Sequence, residues 1–361
     1  MMVFRLLQRI GYITSLILAL GLAPPLAGAS KWQKAPIEPQ ISACEKLHAI
    51  GVRTLSYQDQ KRDRPVVVEL WYPSDAKEPL DQPADFIWVH PDEMRDVPCA
   101  QFVAKFPLIM MSHGYGGDRR DRSWLADRLV RHGFIVASVD HYGNTRSSFD
   151  LVSSLKFWER GRDISFAIDQ LLEEPFLAGR VDPDRIGFVG YSLGGMTGLG
   201  LAGANAGAVE QALEQLVKKY SEIKPEMIAH FDFQEAKKSL KDARIKAMML
   251  ICPASFVYSP ESLKKIKIPI GLVVAPQDEV LPFKEHAELI IQHVVPAKLK
   301  MMRKEVAHNA FVNRVSEAGK KLKKMLVYKD HPSCDRQVIH QEVGLFAVDF
   351  FREYLPTNLS H

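Results

Sequence analysis

Cysteine is scarce in this chain: four in 361 residues, Cys44, Cys99, Cys252 and Cys334, and no two of them form a C-x-x-C pair. That spacing speaks against a structural zinc cage and against a dithiol redox centre, so no metal site is expected. An excess of one charge is missing as well. The formal net charge is +4, and lysines and arginines are dispersed. Even "KKLKK", Lys320 to Lys324, reads as a solvated helix face, so nucleic acid is not an expected partner. Internal repeats, low-complexity tracts and linkers are absent, which argues for one large domain. The apolar stretch at the N-terminus, Ile10 to Ala23, is shorter than the roughly 18–20 residues a membrane helix needs.

That stretch fits another purpose. Arg5 and Arg9 precede it, Pro24-Pro25 ends it, and Ala27-Gly28-Ala29 follows. A basic start, a short apolar core and an A-x-A end make a secretory signal peptide. The expectation is export to the periplasm or the extracellular space after cleavage near Ala29. The mature chain would begin at Ser30 and, without the two arginines, carry +2 (4 − 2). No cysteine follows the small residues, so a lipoprotein anchor is not expected. Export means oxidising conditions, and a disulfide among Cys44, Cys99 and Cys334 is compatible with them. Cys252 ends the apolar run "AMMLIC" and reads as a buried thiol.

Hydrophobic residues make up 47% of the sequence, enough for a large core. "VRTLSYQD" and "RPVVVELWYP" read as an antiparallel pair. Ser74 to Lys105 is polar, contains proline and reads as a long loop. Continuous apolar runs follow: "FPLIMMS", "FIVASVD", "RIGFVG", "IKAMMLIC", "IPIGLVVAP" and "AKLKMMRKEV". Helical periodicity separates them in "DRSWLADRLVRHG", from about Trp158 to Leu172, and after Ser192; a last helix, "QEVGLFAVDFFREYL", closes the chain. Strands alternating with helices, and strands apolar throughout, predict a mostly parallel sheet covered on both faces. Some forty extra residues interrupt the alternation. Val209, Leu213, Leu216 and Val217 fall at helical spacing there, and Pro225 suits a new helix start. The segment at about 207–243 is therefore expected to be a helical insertion, either a lid or a packing element.

Gly190-Tyr191-Ser192-Leu193-Gly194 stands where a strand turns into a helix. A G-x-S-x-G turn lets a serine stand clear of the sheet as a nucleophile, with the helix N-terminus favouring developing negative charge. Its bland alternative is a tight turn with an idle serine. A serine needs a base, and in this architecture acid and base follow in the order Ser, Asp or Glu, His. Asp278 ends the strand "IPIGLVVAP", and His308 follows the last strand in "KEVAHNAF". These two are the expected orienting acid and general base. His286 and His293 read as surface residues on the intervening helix. The expected oxyanion donors are two backbone N–H groups, those of Leu193 and of Tyr115 in "SHGYGG". His113 in that loop is expected to order it, and Asp140 and His141 in "VDHYGNT" to be structural.

Several stretches in this order resemble the α/β-hydrolase superfamily. They are "GVRTLSYQDQKRDRPVVVELWYP", "FPLIMMSHGYGGDRRDRSWLADRLVRHGFIVASVDHYGNT", "GRDISFAIDQLL", "GRVDPDRIGFVGYSLGG" and "VVAPQDEVLP…VAHNAF". Within the superfamily they look like the branch of platelet-activating factor acetylhydrolase-like esterases and predicted dienelactone hydrolases. The resemblance implies an α/β-hydrolase fold and a serine hydrolase of carboxylic esters that needs no cofactor. Ser192 would be the nucleophile, His308 the base, and Leu193 and Tyr115 the oxyanion donors. In animal acetylhydrolases the acid follows the strand after the nucleophile helix; here that strand runs into "CPASFVYSPES", which has no Asp, so Asp278 fits the bacterial branch. The substrate expected is a short-chain or phospholipid-type ester, with room for transient contact with a membrane surface. A peptidase or polyester hydrolase of the same fold remains the chemical alternative, and a non-catalytic binding member the alternative of another class.

Overall fold

The computed structural model describes residues 49–76, 87–100, 105–294, 296–321 and 330–357. The expected signal peptide, its cleavage site, Cys44 and the end of the "KKLKK" run, Leu322 to Lys324, lie outside these residues. Nine strands form one sheet: β1 (Ala49–Asp59), β2 (Arg64–Ser74), β3 (Met94–Arg95), β4 (Phe106–Ser112), β5 (Ile135–Asp140), β6 (Val181–Tyr191), β7 (Ile245–Ile251), β8 (Ile270–Val274) and β9 (Lys298–Met301). Their order across the sheet is β3-β1-β2-β5-β4-β6-β7-β8-β9. β1 and β2 are the expected antiparallel pair, and β2 meets β5 antiparallel. From β5 to β9 every pairing is parallel.

The apolar runs are continuous because both faces are covered. In β4, Leu108 and Met110 join one hydrophobic cluster and Ile109 and Met111 the other. The second cluster holds the Ser123–Arg131 and Arg336–Tyr354 helices, through Leu125, Leu129, Val343 and Phe351. The first holds the Phe157–Glu173 and Leu193–Leu201 helices, through Ile164, Ile168, Met196 and Leu199. Among the described residues no helix is long and apolar enough to cross a membrane.

Three expectations need correction. Ser74 to Lys105 is not wholly loop, because Met94–Arg95 pairs parallel with Gly51 and Val52 at the edge of the sheet. Two residues carry no periodicity, so only the pairing reveals the strand. Cys99 and Cys334 are free thiols, as is Cys252, so neither carries the disulfide that export would allow; Cys99 is buried among core side chains. His286 is 1% exposed and is therefore not a surface residue. It lies in a turn before the Ala287–Val294 helix, where its N–H bonds back to the Pro282 carbonyl.

The segment after the Leu193–Leu201 helix forms three helices: Val209–Lys219, Pro225–Ile228, with proline at its start, and Phe233–Ala236. Val209, Leu213 and Leu216 are buried within the first cluster, and Val217 packs against it half-buried. Their apolar stripe thus faces the body of the protein.

Candidate active site

Ser192 stands between β6 and the Leu193–Leu201 helix at φ 56°, ψ −117°. A residue with a side chain occupies such a conformation only where its surroundings over-determine it. Here they do. The Ser192 N–H donates to the Ile251 carbonyl at 3.0 Å, and its own carbonyl accepts from Gly195 and Ala254 at 2.9 and 3.0 Å. The flanking glycines answer to crowding. A Cβ on Gly190 would stand 2.3 Å from the Gly194 carbonyl oxygen, and one on Gly194 would stand 2.1 Å from that of Ser112. Any side chain at either position would push the helix off the sheet.

The parallel order β6-β7-β8-β9 carries the other two residues to the same edge. The Ser192 hydroxyl lies 3.0 Å from His308 Nε2, and His308 Nδ1 lies 2.6 Å from Asp278 Oδ2. Asp278 Oδ1 accepts the N–H groups of Val280 and Leu281 at 2.9 and 2.7 Å. A carboxylate only accepts, so Nδ1 carries the ring proton and Nε2 is free to accept from the serine. All three side chains are buried: Ser192 is 2%, His308 3% and Asp278 7% exposed. Burial opposes the charge on Asp278. The His308 ring and the two N–H donors outweigh it and hold the carboxyl below its ordinary value. Glu279, next to Asp278, accepts the His308 N–H on its Oε2 at 3.3 Å. Tyr191 donates to the His308 carbonyl at 3.0 Å, and its ring lies 5.0 Å from the imidazole.

The loop after β4 runs beside this turn, since a Cβ on Gly114 would lie 3.3 Å from the Ser192 Cβ. The N–H groups of Tyr115 and Leu193 have no acceptor among the described residues. The Tyr115 hydroxyl is engaged elsewhere, 2.9 Å from the Ser154 hydroxyl. His113 Nδ1 donates to the Gly114 carbonyl at 2.7 Å while Nε2 accepts the His141 N–H at 3.2 Å. Burial holds both His113 and His141 well below the usual histidine range, so they are neutral struts. Asp140 accepts Arg119 through its N–H and guanidinium, at 2.7 and 2.6 Å.

Beneath the loop lies a group that the sequence does not single out. Arg160, on the Phe157–Glu173 helix, is fully buried, and burial lowers its pKa to about 9. It donates to the His113 carbonyl, and at 3.2 Å each to Ser112 Oγ, Asn144 Oδ1 and Thr197 Oγ1. Asn144 Oδ1 in turn accepts the Gly116 N–H at 3.1 Å. One guanidinium thus ties the loop carrying Tyr115 to the helix behind Ser192. His141 bridges Ser112 Oγ at 2.8 Å and Asp163 at 3.0 Å, and Asp163 also accepts Arg64 at 2.7 and 3.0 Å. In sequence, "ERGRD" looks like an exposed helix face. Its one legible signal is the i,i+3 placement of Arg160 and Asp163 among residues of an apolar stripe.

A protein-family model described as "PETase: PET hydrolase-like" matches residues 98–230, less than half of the chain. Cutinase est2 of Thermobifida alba is 33% identical over 99 residues, 27% of this chain and 30% of that protein. A bis(hydroxyethyl) terephthalate hydrolase of Streptomyces coelicolor is 31% identical over 90 residues, 25% of this chain and 26% of that protein. The chain thus spans less than a third of the length of these curated relatives. Among solved structures, a ferulic acid esterase from Streptomyces cinnamoneus superimposes with a TM-score of 0.57 at 18% identity, covering 89% of this chain and 94% of that one. With its mostly parallel sheet, its helices on both faces and this structural likeness, the chain has the α/β-hydrolase fold.

Proposed function

We propose that this protein is an exported serine hydrolase of carboxylic esters that works through an acyl-enzyme on Ser192. One observation carries the reading: the hydrogen-bonded series Ser192–His308–Asp278 at a strained strand-to-helix turn. His308 takes the serine proton as Oγ attacks the ester carbonyl, then returns it to the leaving alcohol. Asp278 holds the ring with Nε2 unprotonated and stabilises the imidazolium. The N–H groups of Leu193 and Tyr115 receive the oxyanion. Water attacks the acyl-enzyme by the same route. No step calls for a cofactor. On this reading 30–361 is one catalytic domain, the 207–243 helices brace it, and 1–29 is removed on export.

Two substrate classes divide the proposal. The acetylhydrolase-like stretches favour short-chain or phospholipid-type esters. The cutinase and terephthalate hydrolase relatives favour polyester-type substrates, and the family match spans the oxyanion loop and Ser192. A fluorophosphonate probe should label the wild type and leave Ser192→Ala unlabelled. A panel of p-nitrophenyl esters, an acetylated phospholipid and bis(hydroxyethyl) terephthalate then separates the classes. Equal labelling of the wild type and the variant would overturn the assignment of the nucleophile.

A further inference from the structure

Cys252 directly follows β7 at φ 42°, in the left-handed region, and its thiol is buried. The series from Ser192 to Asp278 makes no use of it. Its Sγ, a carboxylate oxygen of Asp278 and a ring nitrogen of His308 nevertheless lie within 4.8 Å of one another, the only such group among the described residues. Sulfur, oxygen and nitrogen in one buried cluster are the donor set of a borderline-to-soft divalent cation, and three protein ligands leave a fourth position for water.

We infer that Cys252, Asp278 and His308 form an inhibitory site for a divalent cation of the zinc and cadmium class. The geometry asks for little. Tetrahedral zinc with bonds of about 2.0–2.3 Å sets its donors about 3.3–3.7 Å apart. The Asp278–His308 contact opens from 2.6 Å to reach that range, and the sulfur, within 4.8 Å of both, closes by no more than about 1.5 Å. The cation takes the Nδ1 lone pair, so the ring proton moves to Nε2. The thiol proton leaves to solvent, and one proton is released for each cation bound. With Nε2 protonated, His308 has no lone pair to accept from Ser192, and the general base is lost while the nucleophile stays in place. Only this effect on rate rests on the proposed hydrolase; the binding stands on the donor set alone.

Two readouts test the site. Cadmium should inhibit p-nitrophenyl ester hydrolysis by the wild type by lowering kcat, with full recovery on adding EDTA. Cys252→Ala, measured against its own uninhibited rate, should need a cadmium concentration at least about tenfold higher for half-inhibition, since even residues that merely support a ligand are worth 10–100-fold in metal affinity. Binding is read without activity from the ultraviolet charge-transfer band of a cadmium thiolate. The band should appear in the wild type, Ser192→Ala and Cys334→Ser, and be lost in Cys252→Ala and in the near-isosteric Cys252→Ser. Unchanged melting temperatures establish that the variants fold. Equal cadmium sensitivity of wild type and Cys252→Ala, or a band that survives both Cys252 substitutions, overturns the inference. Should esters prove not to be substrates, the band still decides the site.

Discussion

Asp278→Asn is the sharpest test of the serine relay, because the structure dictates how the amide must sit. Asp278 Oδ1 accepts two backbone N–H groups, at 2.9 and 2.7 Å. Only the amide oxygen can occupy that place. Turning the amide over would set its NH2 against both donors and leave buried groups unpaired, at a cost of about 1–3 kcal/mol each. The NH2 therefore faces His308 Nδ1, which must become the acceptor, and the ring proton shifts to Nε2. The variant keeps the shape of the site and inverts the tautomer. A loss of order 10⁴ in kcat follows, equivalent to about 5 kcal/mol of barrier. The assay is kcat and KM for p-nitrophenyl acetate near neutral pH, with the melting temperature recorded alongside. KM should move little. A variant that retains more than about a tenth of the wild-type kcat would show that His308 does not depend on Asp278 for its tautomer, and the reasoning would fail.

Three further outcomes follow from other parts of the structure. Arg160→Lys keeps a charge but not the fork that holds the His113 carbonyl and Ser112; a loss of roughly tenfold in kcat with KM nearly unchanged is expected, a fraction of the 10²–10³ that an oxyanion donor is worth, and a change confined to KM would refute the positioning role. Leu213→Ala removes a fully buried side chain and should cost about 2–5 kcal/mol in denaturant unfolding; acyl-chain selectivity should not change, and a shift in the ratio of kcat/KM between acetyl and octanoyl esters would assign Leu213 to the pocket wall instead. Burial lowers the pKa of His286 to about 4, so between that value and the ordinary 6.5 the unfolded chain binds the proton and the folded one does not. Its stabilisation is complete above 6.5 and falls as pH drops toward 4, by up to about 3 kcal/mol; His286→Asn, which keeps an acceptor for the Ser255 N–H, should flatten this part of the melting-temperature profile.

Much of the fold is written in local pattern. "FPLIMMS" and "AMMLI" are apolar without a break because each strand feeds two hydrophobic layers, and each helix between them shows one apolar face. Gly190 and Gly194 are legible for a related reason: a sharp turn packed against the Ser112 carbonyl tolerates no Cβ, so the turn leaves its mark in the sequence. The positions of Ser192, Asp278 and His308 at one sheet edge follow from strand order, which the alternation of elements already implies. What escapes the sequence is long-range pairing. Arg160, Asp163 and Arg64 look like ordinary surface charges, and only the folded chain brings them into one buried network under the loop that carries Tyr115. His286 misleads in the same way, since a turn buries it on a segment that reads as a helix face. β3 has two residues and no pattern at all.

The order of the strands bears on how activity would be lost with heat. Ser192 belongs to the middle of the sheet, yet His308, proposed as its base, lies 116 residues further on, in the loop that follows β9. That strand has four residues, is the outermost on its side, and is only partly covered. Edge elements with few buried contacts open at lower free energy than the body of a protein. A subglobal opening confined to β9 and its loop would withdraw His308 while the rest of the sheet stayed folded. Thermal inactivation would then run ahead of thermal unfolding, and amide hydrogen exchange in β9 would track the rate of inactivation.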